Sequence, residues 1–296
     1  MINKFEPNGI KWILSEALSI SINRFKYFAI LTGAVQVPAI ILTLYCSGLK
    51  PQENTYDLML QIISYSIAFF AMTLSSALLI AAVGQHYAYN KITLSFCFTR
   101  TWWRILSITT WAMLLTAPLF IITYFSQSIV NNQGTSNSRI AIIGITTIIL
   151  IPFLIYTSFF IQTVIIEGFK SIGGIKRSAY LIHGKILKVL LVGVLIGLIG
   201  LGLSVIVNIP FAVLEISESN NGIFAGNNSS IFFYLILFFK NFIETIIVLP
   251  MLITAGTLLY FDIRSEKENY TINKLLEDIR ITSPNHKMDI ISTLNN

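Results

Sequence analysis

Six stretches of the chain run for about 20 positions or more with almost no charge. They are Tyr27–Tyr45, Leu58–Val83, Ile105–Phe125, Ile140–Ile166, Ile186–Val207 and Phe242–Phe261. An α-helix needs about 20 mostly apolar residues to cross roughly 30 Å of hydrocarbon, so the pattern predicts an all-α bundle of six transmembrane helices. Leu58–Val83 and Ile140–Ile166 are long enough to tilt or to run past the bilayer. Pro38, Pro118, Pro152 and Pro250 fall inside four of the stretches. Each removes one backbone donor and predicts a kink, whose freed carbonyl a neighbouring helix must satisfy.

Between the apolar runs the period changes. Ile10, Ile13, Leu14, Ala17 and Leu18 fall on one helical face, with Lys11, Ser15 and Ser19 off it. Ile172, Ile175, Ala179 and Ile182 do the same and leave Lys176 and Arg177 to the polar face. Short helices of this kind, with Trp102 and Trp103 nearby, are expected in the interface, their apolar side in lipid and their cations against anionic headgroups. Plain anchoring and a lipid-binding collar both satisfy that pattern.

The two patterns recur together about every 80 residues. Leu14–Pro38 lines up with Leu94–Pro118 without a gap, so that Ser15 meets Ser95, Arg24 meets Arg104 and Pro38 meets Pro118. A weaker third copy begins near Ser171, with Lys185 in the place of Arg104. Each unit predicts an amphipathic helix followed by a transmembrane hairpin, three units in one orientation making a parallel repeat. Transporters often contain repeats, but repeats alone do not make one.

Composition agrees: 54% of the 296 residues are hydrophobic and 11% charged, against about 25% charged in soluble domains. The net charge of +6 points to topology rather than nucleic acid. Of the 20 Lys and Arg, only Lys50, Arg139 and Lys240 lie on one side of the six runs. The others share the opposite side with both ends of the chain, which the enrichment of positive charge in short cytoplasmic loops places in the cytoplasm. Residues 1–264 then form the transmembrane domain and 265–296 a cytoplasmic tail, amphipathic through Leu275, Leu276 and Ile279 and patternless after Pro284. Cys46 and Cys97 lie near opposite faces on this topology and are not expected to pair. The polar, Pro- and Gly-interrupted start does not look like a cleavable signal peptide.

Chemistry is sparse. His86, His183 and His286 sit in separate segments without metal-ligand spacing, and the motifs of zinc proteases, nucleotide-binding loops and serine hydrolases are missing. No catalytic residue, cofactor or metal is expected. Gly173 and Gly174 before a basic pair read as a loop-to-helix bend. Gly193 and Gly197, with Gly200 and Gly202 beyond them, form a small-residue pattern suited to close helix packing. Lys240 and Glu244 share one helix face. They form a functional pair if they lie in the membrane. They form an outer-surface pair if Ile231–Phe239 is a separate interfacial helix and the last span starts near Phe242. Glu167, at the end of the fourth span, and Asp262 with Arg264, after the sixth, are expected to cluster at the cytoplasmic end. The outer loops Ser47–Asp57, Ser126–Arg139 and Asn208–Ser230 are polar and too short for a receptor domain.

Two segments carry a resemblance. IIEGFKSIGGIKRSAYLIHGK (Ile165–Lys185) and PMLITAGTLLYFDIRSEKE (Pro250–Glu268) resemble the cytoplasmic loop and the last span of the glycerophosphoryl diester phosphodiesterase membrane-domain-like proteins. More loosely, the layout is similar to the YciC family of six-span bacterial proteins. The resemblance implies a bacterial inner membrane and an uncharacterised membrane module. It carries no hydrolase activity, because a catalytic (β/α)₈ barrel takes about 250 residues and the six spans leave no room for one. The expected function is therefore a non-enzymatic module that handles or senses lipid or supports the envelope, with a permease or transporter subunit as the alternative. Membrane lipids, through their anionic headgroups, are the expected partners, and a second copy or a partner membrane subunit is left open.

Overall fold

The computed structural model describes residues 9–48, 54–114, 144, 151–221 and 229–281, and the regular structure among them is all helical. In chain order the helices are α1 (Ile10–Asn23), α2 (Phe25–Gly48), α3 (Asn54–Tyr89), α4 (Leu94–Trp102) and α5 (Ile105–Leu114). Then come α6 (Ile151–Glu167), α7 (Ser171–Ile182), α8 (Ile186–Asn221), α9 (Ser229–Glu268) and α10 (Ile272–Ile281).

Among the described residues, four helices are long and apolar enough to cross a membrane, through Phe25–Cys46, Ile63–Tyr89, Ile186–Leu214 and Tyr234–Glu268. The second half of the expected third span and the first part of the expected fourth lie outside the described residues. So do the loop Ser126–Arg139 and the end of the tail. What is described of the fourth, α6, is bent by 118° against α7. A turn at 157–159 interrupts α6, and it ends in a π-turn, Thr163–Glu167.

Two boundaries differ from the apolar pattern. The helix expected to stop at Val207 runs through Pro210 to Asn221, because Ile209, Phe211, Val213 and Leu214 continue the apolar run and Asn208 donates backward to the Ser204 carbonyl (2.8 Å). The last helix starts at Ser229 rather than near Phe242, so Ile231–Phe239 is its first part and no separate interfacial helix exists there. Its 40 residues extend for about 60 Å, twice the hydrocarbon thickness. The surplus is covered by protein: Leu258, Leu259, Tyr260, Phe261 and Ile263 are all buried.

The covering is a collar of short helices around the C-terminal end of α9. Helix α1 packs on α9, α4 on α3, α7 on α6 and α9, and α10 on α3 and the π-turn. Asn90 (φ 52) and Asn269 (φ 48) end α3 and α9 in the left-handed region, and Gly168 (φ 86) ends α6 there.

Three collar helices lead into a long or apolar helix through the same kind of break. Helix α1 turns at Arg24 into α2, α4 at Trp103 and Arg104 into α5, and α7 at His183–Lys185 into α8. In each the residue four places on closes the first turn, with Phe28 N–H on Arg24 O (3.2 Å), Ile108 on Arg104 (3.1 Å) and Val189 on Lys185 (3.0 Å). Burial keeps the same register: Ala17, Cys97 and Ser178 are buried, as are Ile20, Arg100 and Leu181, and again Phe28, Ile108 and Val189.

The collar helices use their apolar arcs in two directions. In α1 the bundle takes Ile13, Ala17, Ile20 and Ser21 and leaves Leu18 and Ile22 exposed. In α7 it takes Gly174, Ser178, Leu181 and Ile182 and leaves Ile172 exposed. The buried face is thus rotated from the one the periodicity suggests.

Candidate functional site

Where α6, α7, α9 and α10 meet, a cluster of charges is closed from four directions. The buried Arg264 reaches Glu167 (3.5 Å), Glu268 (3.3 Å) and Asp278 (3.1 Å), and its guanidinium lies 3.5 Å from the Tyr270 ring centroid. Arg177 of α7 donates from Nε to Glu167 (2.8 Å) and forms a two-pronged pair with Glu268 (2.5 and 2.7 Å). The Tyr260 hydroxyl donates to the remaining Glu167 oxygen (2.6 Å), and Tyr270 donates to Asp278 (2.8 Å). Burial pushes the Tyr270 phenol above its ordinary range, so it acts as a neutral donor. Buried charges persist only when paired and hydrogen-bonded, and each carboxylate here is spent on a cation or a phenol.

A second group continues along α9. Lys188 Nζ lies 2.5 Å from Asp262 Oδ2 and also contacts Glu266, which Lys185 reaches at 2.7 Å. The Asp262 side chain is buried, and Lys188 is the cation set against it. Lys267 donates to the carbonyls of Tyr180 (2.7 Å) and His183 (2.5 Å), neutralising the negative end of α7.

Two further arginines serve backbone rather than carboxylate. Arg100, 3% exposed, donates from Nε to Ile165 O (2.7 Å), from Nη2 to Ile166 O (2.8 Å) and from Nη1 to Ile279 O (3.2 Å). Arg104 donates to Val164 O (2.6 Å). Together they cap the orphan carbonyls at the end of α6 and tie α10 to it. Burial pushes Arg100 down to about 9 and Arg104 down to about 10, both still cationic at neutral pH.

Of the residues singled out by sequence, Glu167, Arg177 and Arg264 meet directly, and Asp262 joins the neighbouring group through Lys188. Lys176 is exposed. Glu244 lies toward the other end of α9, where Asn208 Nδ2 donates to it (3.1 Å); Lys240 stands one turn away on the same helix. Gly193 and Gly197 face open space, whereas a Cβ on Gly200 would lie 2.8 Å from Leu252, so Gly200 is the close-packing glycine of this helix within the chain. Sequence reasoning missed Arg100, Tyr260, Tyr270 and Asp278 because their partners are distant in the chain or are backbone carbonyls. The spacings of four in Tyr260–Arg264 and Arg264–Glu268 were the local signals. Among the described residues, no three His, Cys, Asp or Glu side chains are placed to hold a metal ion.

No protein-family description, curated protein or solved structure matches the chain.

Proposed function

We propose that this chain is a non-enzymatic, six-span membrane module whose collar sits in the cytoplasmic leaflet and engages anionic lipid. The observation that carries the reading lies at the three breaks. Large apolar side chains stand exposed there beside the basic residues: Ile22 at 65% near Arg24, Trp102 at 70% near Arg104, and Leu187 at 84% near Lys185. Exposed Trp and aliphatic groups at the level of a basic ring match an interfacial belt. The common break and the common burial register support the parallel three-unit repeat, and with it the two spans that the described residues hold only in part. The segments that carry the family resemblance, Ile165–Lys185 and Pro250–Glu268, are the two joined by the Arg177–Glu268 and Arg264–Glu167 pairs, which supports reading them as one functional unit.

The test is mass spectrometry of lipid and protein that copurify with the tagged chain in native lipid discs. Enrichment of anionic phospholipid over the bulk membrane is the expected result; a composition equal to bulk sinks the reading. A second reading, a permease subunit, is favoured by one feature. Helix α6 is interrupted at 157–159 and ends in a π-turn, and discontinuous helices are how transporters expose backbone to a substrate. A stoichiometric ATPase in the same preparation would select it.

A further inference from the structure

Resting on the lipid-engaging reading of the collar, we propose that Arg104, backed by Arg100, is the site that binds a lipid-borne phosphate. The cations of the two charge clusters are answered by carboxylates, whereas Lys267 and Arg24 are answered by exposed carbonyls. Arg177, Arg264, Lys185 and Lys188 each meet at least one carboxylate. Arg100 and Arg104 meet none within ion-pair distance among the described residues, and their acceptors are backbone carbonyls alone.

Asp278 acts on Arg100 from beyond ion-pair distance, so the open charge is that of Arg104. The end of a helix contributes roughly half a negative charge, against two full positive charges one turn apart, which repel each other. Arg100 spends three of its five N–H groups on the carbonyls of Ile165, Ile166 and Ile279, and at 3% exposed the other two are sealed away from a ligand. Arg104 is different. It remains partly exposed and spends its Nη1 group on Val164 O. The rest of its planar fork is available for the two-pronged contact that guanidinium makes with phosphate.

Position selects the kind of phosphate. Arg104 sits in the break between α4 and α5, flanked by Trp103 at 69% exposed and Leu106 at 80%. Those side chains need an apolar environment beside the anion, which a phospholipid supplies and a free phosphate ion does not. Arg100 acts as a positioning residue: it fixes the end of α6 against which Arg104 is braced, and its charge raises the local potential.

The experiment uses the full chain purified in neutral detergent. Its thermal midpoint is followed as phosphatidylglycerol, phosphatidylcholine or inorganic phosphate is added, and retained lipid is counted by native mass spectrometry. Phosphatidylglycerol is expected to raise the midpoint of the wild type and of Lys240→Gln, a cation in the half of α9 away from the collar. Arg104→Gln should lose about tenfold in lipid affinity, and Arg104→Lys, which keeps charge without the fork, should fall between. Monodisperse elution of both variants separates lost binding from lost folding, and Arg104→Lys stands as the test if Arg104→Gln does not fold. Undiminished binding by Arg104→Gln, with wild-type binding intact, overturns this site and leaves the collar reading standing. No anionic preference in any protein overturns both. A response to inorganic phosphate matching that to phosphatidylglycerol assigns the fork to soluble phosphate and overturns the lipid assignment.

Discussion

Lys188 and Asp262, 2.5 Å apart, pin α8 to α9 at the collar end, and Asn208 with Glu244 (3.1 Å) pins the same two helices at the other. Between them the helices pack closely, with Gly200 against Leu252. From Lys188 to Asn208 and from Asp262 to Glu244 the helical rise is about 27–30 Å, the thickness of a bilayer's hydrocarbon. The polar contacts are thus spaced by the length of one membrane crossing, and a bilayer seated between them would hold Glu244 at its boundary, away from the midplane where an ionised carboxylate is costly.

Breaking the collar-end pin from one side should cost more than removing it whole. Lys188→Ala leaves the buried Asp262 without its cation, and loss of one partner of a buried pair typically costs about 3 kcal/mol or more. Asp262→Asn added to that variant should recover most of the loss. Thermal unfolding in detergent measures both; equal stability of Lys188→Ala and wild type would show that Asp262 is not charged in the fold.

The glycines separate by neighbour rather than by spacing. A Cβ on Gly174 would lie 3.0 Å from Phe160 and 3.1 Å from Val164, both fixed in the core. Gly174→Ala should therefore destabilise by about 1–2 kcal/mol through overpacking. Gly193→Ala and Gly197→Ala meet nothing and should be neutral or slightly stabilising, since alanine is the better helix former. Melting midpoints of the three variants decide it, and a severe loss at Gly197 would mean that a second copy packs there.

How far these features were legible in the sequence follows from what each depends on. Apolar length and period depend on neighbours in the chain, so the long helices and the short ones between them could be read directly. The spacing also aligned Arg24, Arg104 and Lys185, which the structure places at the same point of three breaks. The extension of α9 to Ser229 was not legible, because Lys240 and Glu244 read as a boundary while a helix continues wherever its backbone is satisfied. The role of Arg100 was hidden as well. Its acceptors are the carbonyls of Ile165, Ile166 and Ile279, which leave no trace in side-chain identity.

The Arg177–Glu268 pair should behave as a coupled unit. Its geometry is two-pronged and half-buried, better than the exposed pairs that contribute almost nothing. Arg177→Glu alone should destabilise strongly, since it sets three carboxylates together with Glu167 and Glu268. Arg177→Glu with Glu268→Arg should restore part of the loss, with a coupling energy of about 1–2 kcal/mol. Purely additive single and double losses would mean that the two side chains do not meet.

Cys97 gives a prediction in pH. It is wholly buried in α4, and burial pushes its thiol up to about 12, only partly offset by the nearby Arg100 charge. An ordinary exposed thiol, with a pKa of about 8.5, is mostly the reactive thiolate by pH 9.5. A raised pKa means the folded protein holds the proton through that whole window, with only about one thiol in a thousand ionised at pH 9. In a Cys46→Ser background, alkylation of Cys97 should therefore stay slow from pH 7 to pH 9.5 and show no plateau, then become fast on denaturation. The sign is fixed: ionising Cys97 is disfavoured in the fold, so raising the pH toward 12 should also loosen the packing of α4 on α3. A labelling curve that levels off near pH 9 in the folded protein would place Cys97 at the surface and α4 away from the bundle.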